Sequence, residues 1–404
     1  MKRATVVLLV LVIASAAVWG LVKYGPYVRW YMRVRWHAIE ASRREPAALA
    51  AWQKEFGDLA AAPPVHDDNA TAVRLAELAP GAGVNFKKTE YPASATAIGV
   101  YVNAETMKTG GPVDPPPEAV RSYLDAHKPG LDAVVDLLTH AEPPVWKTEE
   151  WLAPDPTPLA GLKQLSYVLV ARALAESSAG RDADADRALS AAWQLSVSLR
   201  DFPILIEQLI AMSMTTAPAS LARRLAVDAA SWRVRLGEYD ARAGVMHALV
   251  AEGGRKWSAG TSQMERAAHA DYLDSMRVYL VGLRDQPLTA QHAAYSEADA
   301  VRDGWSAGAI IAAIGQWGFD RAWLSAGLVM LQIELTDRVL HARQLKAQLG
   351  RWPAAIPNVE TSRIPGVHWI YFVGQDGRMS IAVSPTLQGT GPPLRFESGE
   401  SLDK

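Results

Sequence analysis

Two apolar stripes at helical spacing, in residues 159–199, constrain the fold of this chain more than any other feature. Each stripe predicts an amphipathic helix that must bury one face against a neighbour. Gly180 separates the two runs, and glycine commonly ends a helix in the left-handed conformation. The runs therefore predict an αα-hairpin, whose facing residues are Leu162, Leu165, Leu169 and Ala173 in the first helix and Ala188, Trp193, Leu195 and Leu199 in the second.

Helical periodicity continues across residues 117–350, and we predict one helical domain there. Its longest helix is predicted from about Asp320 to Leu349, where leucines recur at helical spacings. Gly350 is suited to end that helix, and Pro353 prevents its continuation. The sequence lacks the ~34-residue recurrence of a tetratricopeptide array, so the pattern predicts an irregular bundle of αα-hairpins.

The segments on either side of this domain have different patterns. Residues 351–404 contain two β-prone runs around Asp376-Gly377, a pair typical of a tight turn, so we predict a small C-terminal β-hairpin and a tail. Residues 41–116 mix helix-forming stretches with glycine and proline, which predicts a helical and irregular linker region. Within it, the β-prone residues 95–103 (ATAIGVYVN) favour one strand.

An uncharged apolar run from Ala4 to Val22 dominates the N-terminus. At ~1.5 Å per residue it spans about 28 Å, close to the ~30 Å hydrocarbon core of a bilayer, so we predict a single N-terminal transmembrane helix. A cleaved signal peptide is the alternative, because the small residues Ala14 to Ala16 follow the most apolar part of the run. We favour the uncleaved anchor, since the apolar run continues past these residues and aromatic residues follow it.

Residues 1–40 are therefore predicted to form the anchor and a juxtamembrane helix. Aromatic rings and guanidinium groups are suited to the lipid headgroup region. Positive charges flank the anchor on both sides, and their count favours a cytoplasmic location for the rest of the chain. The predicted membrane-interface residues are Tyr24, Tyr27, Arg29, Trp30, Tyr31 and Arg33.

The composition argues against several classes of function. Lys plus Arg, at 41, nearly balance Asp plus Glu, at 43, so the net charge gives no indication of nucleic-acid binding. The absence of cysteine excludes disulfides, thiolate metal sites and a cysteine nucleophile. No two histidines have the H-x-x-x-H spacing of a helical zinc site. We therefore predict no metal, no cofactor and no nucleic-acid partner.

One motif has the outline of a catalytic element. The sequence GWSAG, residues 304–308, matches the G-x-S-x-G pattern of a hydrolase nucleophile, with Ser306 at its centre. That element needs a buried strand before it, whereas the upstream residues are charged and helical in pattern. We therefore assign no catalytic residue, and Ser306 is the nucleophile to test if the protein is a hydrolase.

Other acidic residues and histidines are better explained as structural. Residues 66–69 (HDDN) predict the start of a helix, capped by a polar side chain. His140 and Glu142 predict a hydrogen-bonded pair on the surface after a helix. Glu207 and Glu334 interrupt apolar helical runs, and we predict that their charges lie at helix edges. Burial of either carboxylate is the alternative, and it would suit an enzyme.

Several segments follow one another in a set order: the anchor, residues 64–72, 122–138, 171–214 and 345–356, and the C-terminal hairpin. This order resembles a group of uncharacterised bacterial membrane-anchored helical proteins. The resemblance implies a mainly helical, membrane-attached and extracytoplasmic protein, and it supplies no catalytic residues to transfer. The end of the long helix and the hairpin also resemble the C-terminal part of type II secretion pseudopilins, although the N-terminus lacks that family's peptidase site.

Together these patterns predict a mainly α protein with a single N-terminal transmembrane helix, an irregular αα-hairpin bundle and a small C-terminal β-hairpin. We expect a membrane-anchored binding or scaffold protein of the bacterial envelope, single-pass in the inner membrane, with its bulk outside the cytoplasm. Its expected partners are the membrane and a protein. Two alternatives stay open: an envelope hydrolase that uses Ser306 or a buried carboxylate, and an accessory of a secretion or envelope-assembly system.

Overall fold

The structure is a computed structural model in which the chain divides into two compact units. The first unit is drawn from Met1–Ala60, Gly253–Gly282 and Ala293–Trp317, and the second from Ala61–Glu252, Leu283–His292 and Gly318–Lys404. The residues that the structure describes are 32, 35, 36, 39–60, 67–86, 93–147, 157–200, 202, 204–254, 262–285, 307–385 and 393–399.

The described residues are mainly helical, with a small antiparallel sheet near the C-terminus, as the sequence predicts. Short 3₁₀ turns follow the first two helices, at Gly57–Ala60 and Ala79–Ala82. The strands are β1 (His368–Val373), β2 (Met379–Ser384) and β3 (Arg395–Glu397). The helices are α1 (39–56), α2 (Ala70–Leu78), α3 (Ala93–Thr106), α4 (Glu118–Ala126), α5 (Lys128–His140), α6 (Thr157–Ser178), α7 (Asp182–Val197), α8 (Leu205–Ala222), α9 (Ala229–Gly237), α10 (Ala241–Gly254), α11 (Gln263–Asp285) and α12 (Ala307–Leu349).

In the first unit, α1 packs against α11 through small residues and polar pairs. Ala41 and Ala267 are both buried and in contact. Beside them, Arg44 forms an ion pair with Asp271 at 2.9 Å, and His269 Nδ1 lies within hydrogen-bond distance of Glu45 Oε1, at 2.9 Å. Small alanines let the two backbones approach closely, and the polar pairs link the two helices.

The second unit is built around the predicted αα-hairpin, which is confirmed as α6 and α7. The residues predicted to face inward on both helices are buried. Gly180 has a φ of 74°, the left-handed conformation expected after α6. Helix α7 also packs against α5 and α8, and α6 packs against α3 and α4. The hairpin therefore forms the centre of this unit.

The C-terminal end of α12 and the hairpin that follows are confirmed as well. Helix α12 ends at Leu349, and Gly350 has a φ of 68°. Strands β1 and β2 pair antiparallel across the Gln375–Gly377 turn, where Gly374 N donates to Arg378 O at 2.8 Å. A third strand, β3, was not predicted from the sequence, and it pairs with β2 through Ile381 and Phe396.

The predicted strand at residues 95–103 is wrong, because these residues form part of α3. The buried positions in this helix are Ile98, Tyr101, Val102, Glu105 and Thr106, whose spacings of three and four place them on one helical face. β-branched and aromatic residues favour strands only weakly, and burial of a helical face against neighbouring helices outweighs that preference.

The start of the longest helix also differs from the prediction, because α12 begins at Ala307, well before the predicted start at Asp320. Two prolines lie within helices. Pro129 occupies the first turn of α5, where its missing N–H costs nothing, and α8 continues through Pro218.

Within the described residues, none of the helices combines the length and hydrophobicity that crossing a bilayer requires. The predicted transmembrane segment, residues 4–22, lies outside this part of the chain. So do all six predicted membrane-interface residues, Tyr24, Tyr27, Arg29, Trp30, Tyr31 and Arg33.

Candidate functional site

A groove with a volume of about 1060 Å³ lies on the face of the second unit that is formed by α4, α5, α6 and the start of α7. Its floor is apolar and includes Leu124, Leu131 and Val135, which are 9%, 1% and 3% exposed. Pro115 and Pro116, just before α4, line one end. We call this surface the charged groove, because ionised side chains surround its apolar floor.

The charged groove carries equal numbers of basic and acidic residues. Most of them lie three or four positions from another charged residue of the same helix, which places the two side chains on one face of that helix. The basic residues are Arg121, Lys128, Arg172, Arg181 and Arg187, and the acidic residues are Asp125, Asp132, Asp136, Glu176 and Asp184.

Five of these residues form a chain of ion pairs across the groove, which we call the charge ladder. Lys128 Nζ lies 3.2 Å from Asp132 Oδ2, and Asp132 Oδ1 accepts a short hydrogen bond from Arg172 Nη2. Arg172 Nε lies 3.8 Å from Glu176 Oε1, and Arg181 pairs closely with Glu176 Oε2. The ladder therefore links α5, α6 and the turn between α6 and α7.

Arg172 is the central residue of the charge ladder. Its side chain is only 11% exposed. Burial acts to raise the pKa of Asp132, but the hydrogen bond and the charge of Arg172, helped by Lys128, lower that pKa below its usual value. Nη1 of Arg172 is buried and has no hydrogen-bond partner within the described ranges. Asp132 thus stays ionised at neutral pH, and Nη1 of Arg172 is a donor of the ladder without an acceptor in the described ranges.

Asp125 is the exposed acidic residue at the α4 side of the groove. It forms no ion pair with any other described residue. A second groove, of about 370 Å³, includes Asp186 and Ser190 and shares Arg187 with the charged groove. The two grooves are therefore neighbours on α7.

The helix start predicted at residues 66–69 is confirmed for residues 67–69, the part of this segment that the structure describes. Asn69 Oδ1 accepts hydrogen bonds from Ala72 N at 2.9 Å and from Val145 N at 3.1 Å. Asp68 Oδ1 accepts from Lys147 N at 2.6 Å. These side chains cap α2 and hold the segment after α5 against it, which is a structural role.

The predicted pairing of His140 with Glu142 is wrong. His140 Nδ1 lies 3.2 Å from Asp136 Oδ1, one helical turn before it, and Glu142 accepts from Asn69 Nδ2 at 3.2 Å. The chain turns towards α2 after α5, which carries Glu142 to a different partner. Both residues are exposed.

The prediction that Glu207 and Glu334 lie at helix edges is also wrong, because they are 1% and 4% exposed. Glu207 is in the first turn of α8, where the helix dipole favours an anion. Glu334 accepts hydrogen bonds from Ser362 Oγ, Arg363 N and Trp369 Nε1, at 2.7–2.8 Å. Its carboxylate is therefore used to hold the C-terminal sheet on α12.

Ser306 lies outside the described residues. Among the residues that are described, no three histidine or acidic side chains lie close enough together to hold a metal ion. The charged groove was not predicted from the sequence. Pairs of opposite charge at i,i+4 on successive helices, such as Arg121 with Asp125 and Arg172 with Glu176, were a signal for it.

Comparison with known proteins gives no relative from which a function can be transferred. No protein-family model, curated protein or solved structure matches this chain.

Proposed function

We propose that this protein is a membrane-anchored binding protein of the bacterial envelope and that the charged groove holds a segment of polypeptide. The observation that carries the proposal is the composition of the groove. Its floor is apolar, and acidic and basic side chains surround that floor. A polypeptide segment offers the matching surface, with an apolar face flanked by acidic and basic side chains.

The charges favour a polypeptide over other ligands. A polyanion such as nucleic acid needs an excess of basic residues, whereas the acidic residues here equal the basic ones. The volume of about 1060 Å³ also lies just above the ~300–1,000 Å³ range of small-molecule sites. The free carboxylate of Asp125 is exposed and is suited to a basic side chain of the bound segment.

The N-terminal region supports attachment to the membrane. Met32 and Trp36 are helical, one turn apart, and 47% and 66% exposed. Exposed apolar residues on one helical stripe, directly after the predicted anchor, suit the headgroup region. The family resemblance favours an extracytoplasmic location for the rest of the chain, and we adopt that orientation.

The orientation can be tested on spheroplasts. We expect a protease added outside intact spheroplasts to digest the chain beyond residue 40, while a cytoplasmic protein in the same cells survives. Protection of the chain until the membrane is lysed would contradict the extracytoplasmic location.

The binding function can be tested by photo-crosslinking in living cells. A photoreactive amino acid at Ala179, an exposed groove residue, should give a discrete polypeptide adduct. Mass spectrometry should map the crosslink to one segment with apolar, acidic and basic side chains. The same amino acid at Val100, which is 65% exposed on α3 and does not line the groove, is the matched control. No adduct at Ala179, or the same adduct at Val100, would contradict the proposal.

A further inference from the structure

Arg223 is a buried arginine whose charge is not balanced by any described carboxylate. It follows the last residue of α8 and is 0% exposed. Its Nη1 donates to Gln332 Oε1 at 2.7 Å and lies 3.5 Å from Thr336 Oγ1. Both partners are neutral, so these contacts satisfy hydrogen bonding at one nitrogen without balancing the charge.

The other two nitrogens of the Arg223 guanidinium, Nε and Nη2, are buried donors. Neither has a hydrogen-bond partner anywhere in the described part of the chain. These two nitrogens lie on the same edge of the planar guanidinium, where their N–H groups form the fork that binds an anion. The end of α8 supplies a partial negative charge, but no acceptor at this edge.

Neighbouring charges do not supply the counter-charge either. Glu105 is already shared by Arg224, at 3.0 Å, and Lys108, at 2.5 Å, and Lys108 also pairs with Asp114 at 2.7 Å. Both carboxylates are therefore already paired with other cations, and neither forms an ion pair with Arg223. Burial, followed by repulsion from Arg224, lowers the pKa of Arg223 to about 9, so the side chain still carries its charge at neutral pH.

A buried charge without a partner is strongly destabilising. We infer that the Nε and Nη2 fork of Arg223 binds a small inorganic anion of the halide class, which is enclosed when the second unit folds. Complete burial of the side chain excludes a protein or a nucleotide as the occupant, because neither can reach it. Chloride carries the opposite charge, and the two N–H donors would bind it.

The anion site can be tested by unfolding the full-length protein in chloride and in gluconate at equal ionic strength. The unfolding midpoint of the wild type should be higher in chloride. Each tenfold rise in chloride above its Kd should add about 1.4 kcal/mol to the free energy of unfolding. Arg223→Met should remove this dependence, whereas Arg74→Met, at an exposed arginine, should keep it.

A wild-type midpoint that is the same in both salts would overturn the inference. This comparison needs no variant, so it holds even if Arg223→Met fails to fold. Crystals grown with bromide should show an anomalous peak beside Nε and Nη2 of Arg223, and an empty position there would also overturn it.

Discussion

Replacing Arg224 by methionine should lower the free energy of unfolding by about 3–5 kcal/mol, because the change leaves a buried carboxylate with half its counter-charge. Arg224 and Glu105 have side chains that are 1% and 2% exposed, and Nη2 lies 3.0 Å from Oε2. Arg224 also donates to the backbone oxygens of Glu105 and Pro112, at 2.5 Å and 2.9 Å. It thus ties the end of α8 to α3 and to the loop before α4.

Equilibrium urea unfolding of the full-length chain, followed by circular dichroism, measures this effect. Arg74→Met is the matched control, since Arg74 pairs with Glu77 on the surface at 2.7 Å, and it should change stability by less than about 1 kcal/mol. Combining Arg224→Met with Glu105→Leu should cost less than the sum of the two single changes. Equal losses for Arg224→Met and Arg74→Met would contradict the role given to the buried pair.

Replacing Glu334 by alanine should release the C-terminal sheet from α12. The carboxylate accepts from Trp369 Nε1 at 2.8 Å, from Arg363 N at 2.7 Å and from Ser362 Oγ at 2.8 Å. Each buried donor left unpaired costs about 1–3 kcal/mol, so a local loss of about 3 kcal/mol or more is expected. Trp369 is 0% exposed and should become accessible to water.

Amide hydrogen exchange measures this loss locally. A loss of about 3 kcal/mol should make the amides of β1 and β2 exchange more than ~100-fold faster, while those of α6 and α7 keep their rates. Glu360→Ala removes an exposed carboxylate from the same segment and should leave the exchange rates of the strands unchanged. Unchanged exchange in Glu334→Ala would show that the carboxylate does not hold the sheet.

The features that the sequence predicted correctly are those with local signals. The α6–α7 hairpin follows from helical periodicity and Gly180, and the end of α12 follows from Gly350. The β1–β2 hairpin follows from the Asp376-Gly377 turn. In each case the residues that decide the structure lie within a few positions of one another, so the pattern and its cause are both visible in the sequence.

The features that the sequence did not predict depend on contacts between distant residues. Arg224 and Glu105 are 119 positions apart, and nothing in the sequence around either residue indicates the other. Burial of Glu334 depends on donors that lie after the end of its own helix. The charged groove likewise appears only when α4, α5, α6 and α7 are packed together, although its i,i+4 charge pairs were present in the sequence.

The most direct test of the binding proposal is the yield of the Ala179 photo-adduct after one charge at the groove is reversed. Asp125→Lys changes an exposed groove residue and should leave the fold intact. Glu238→Lys makes the same charge change at an exposed position outside the groove. We expect the adduct to fall several-fold in Asp125→Lys and to stay at the wild-type level in Glu238→Lys. A full yield in Asp125→Lys, or an equal loss in both variants, would contradict binding in the charged groove.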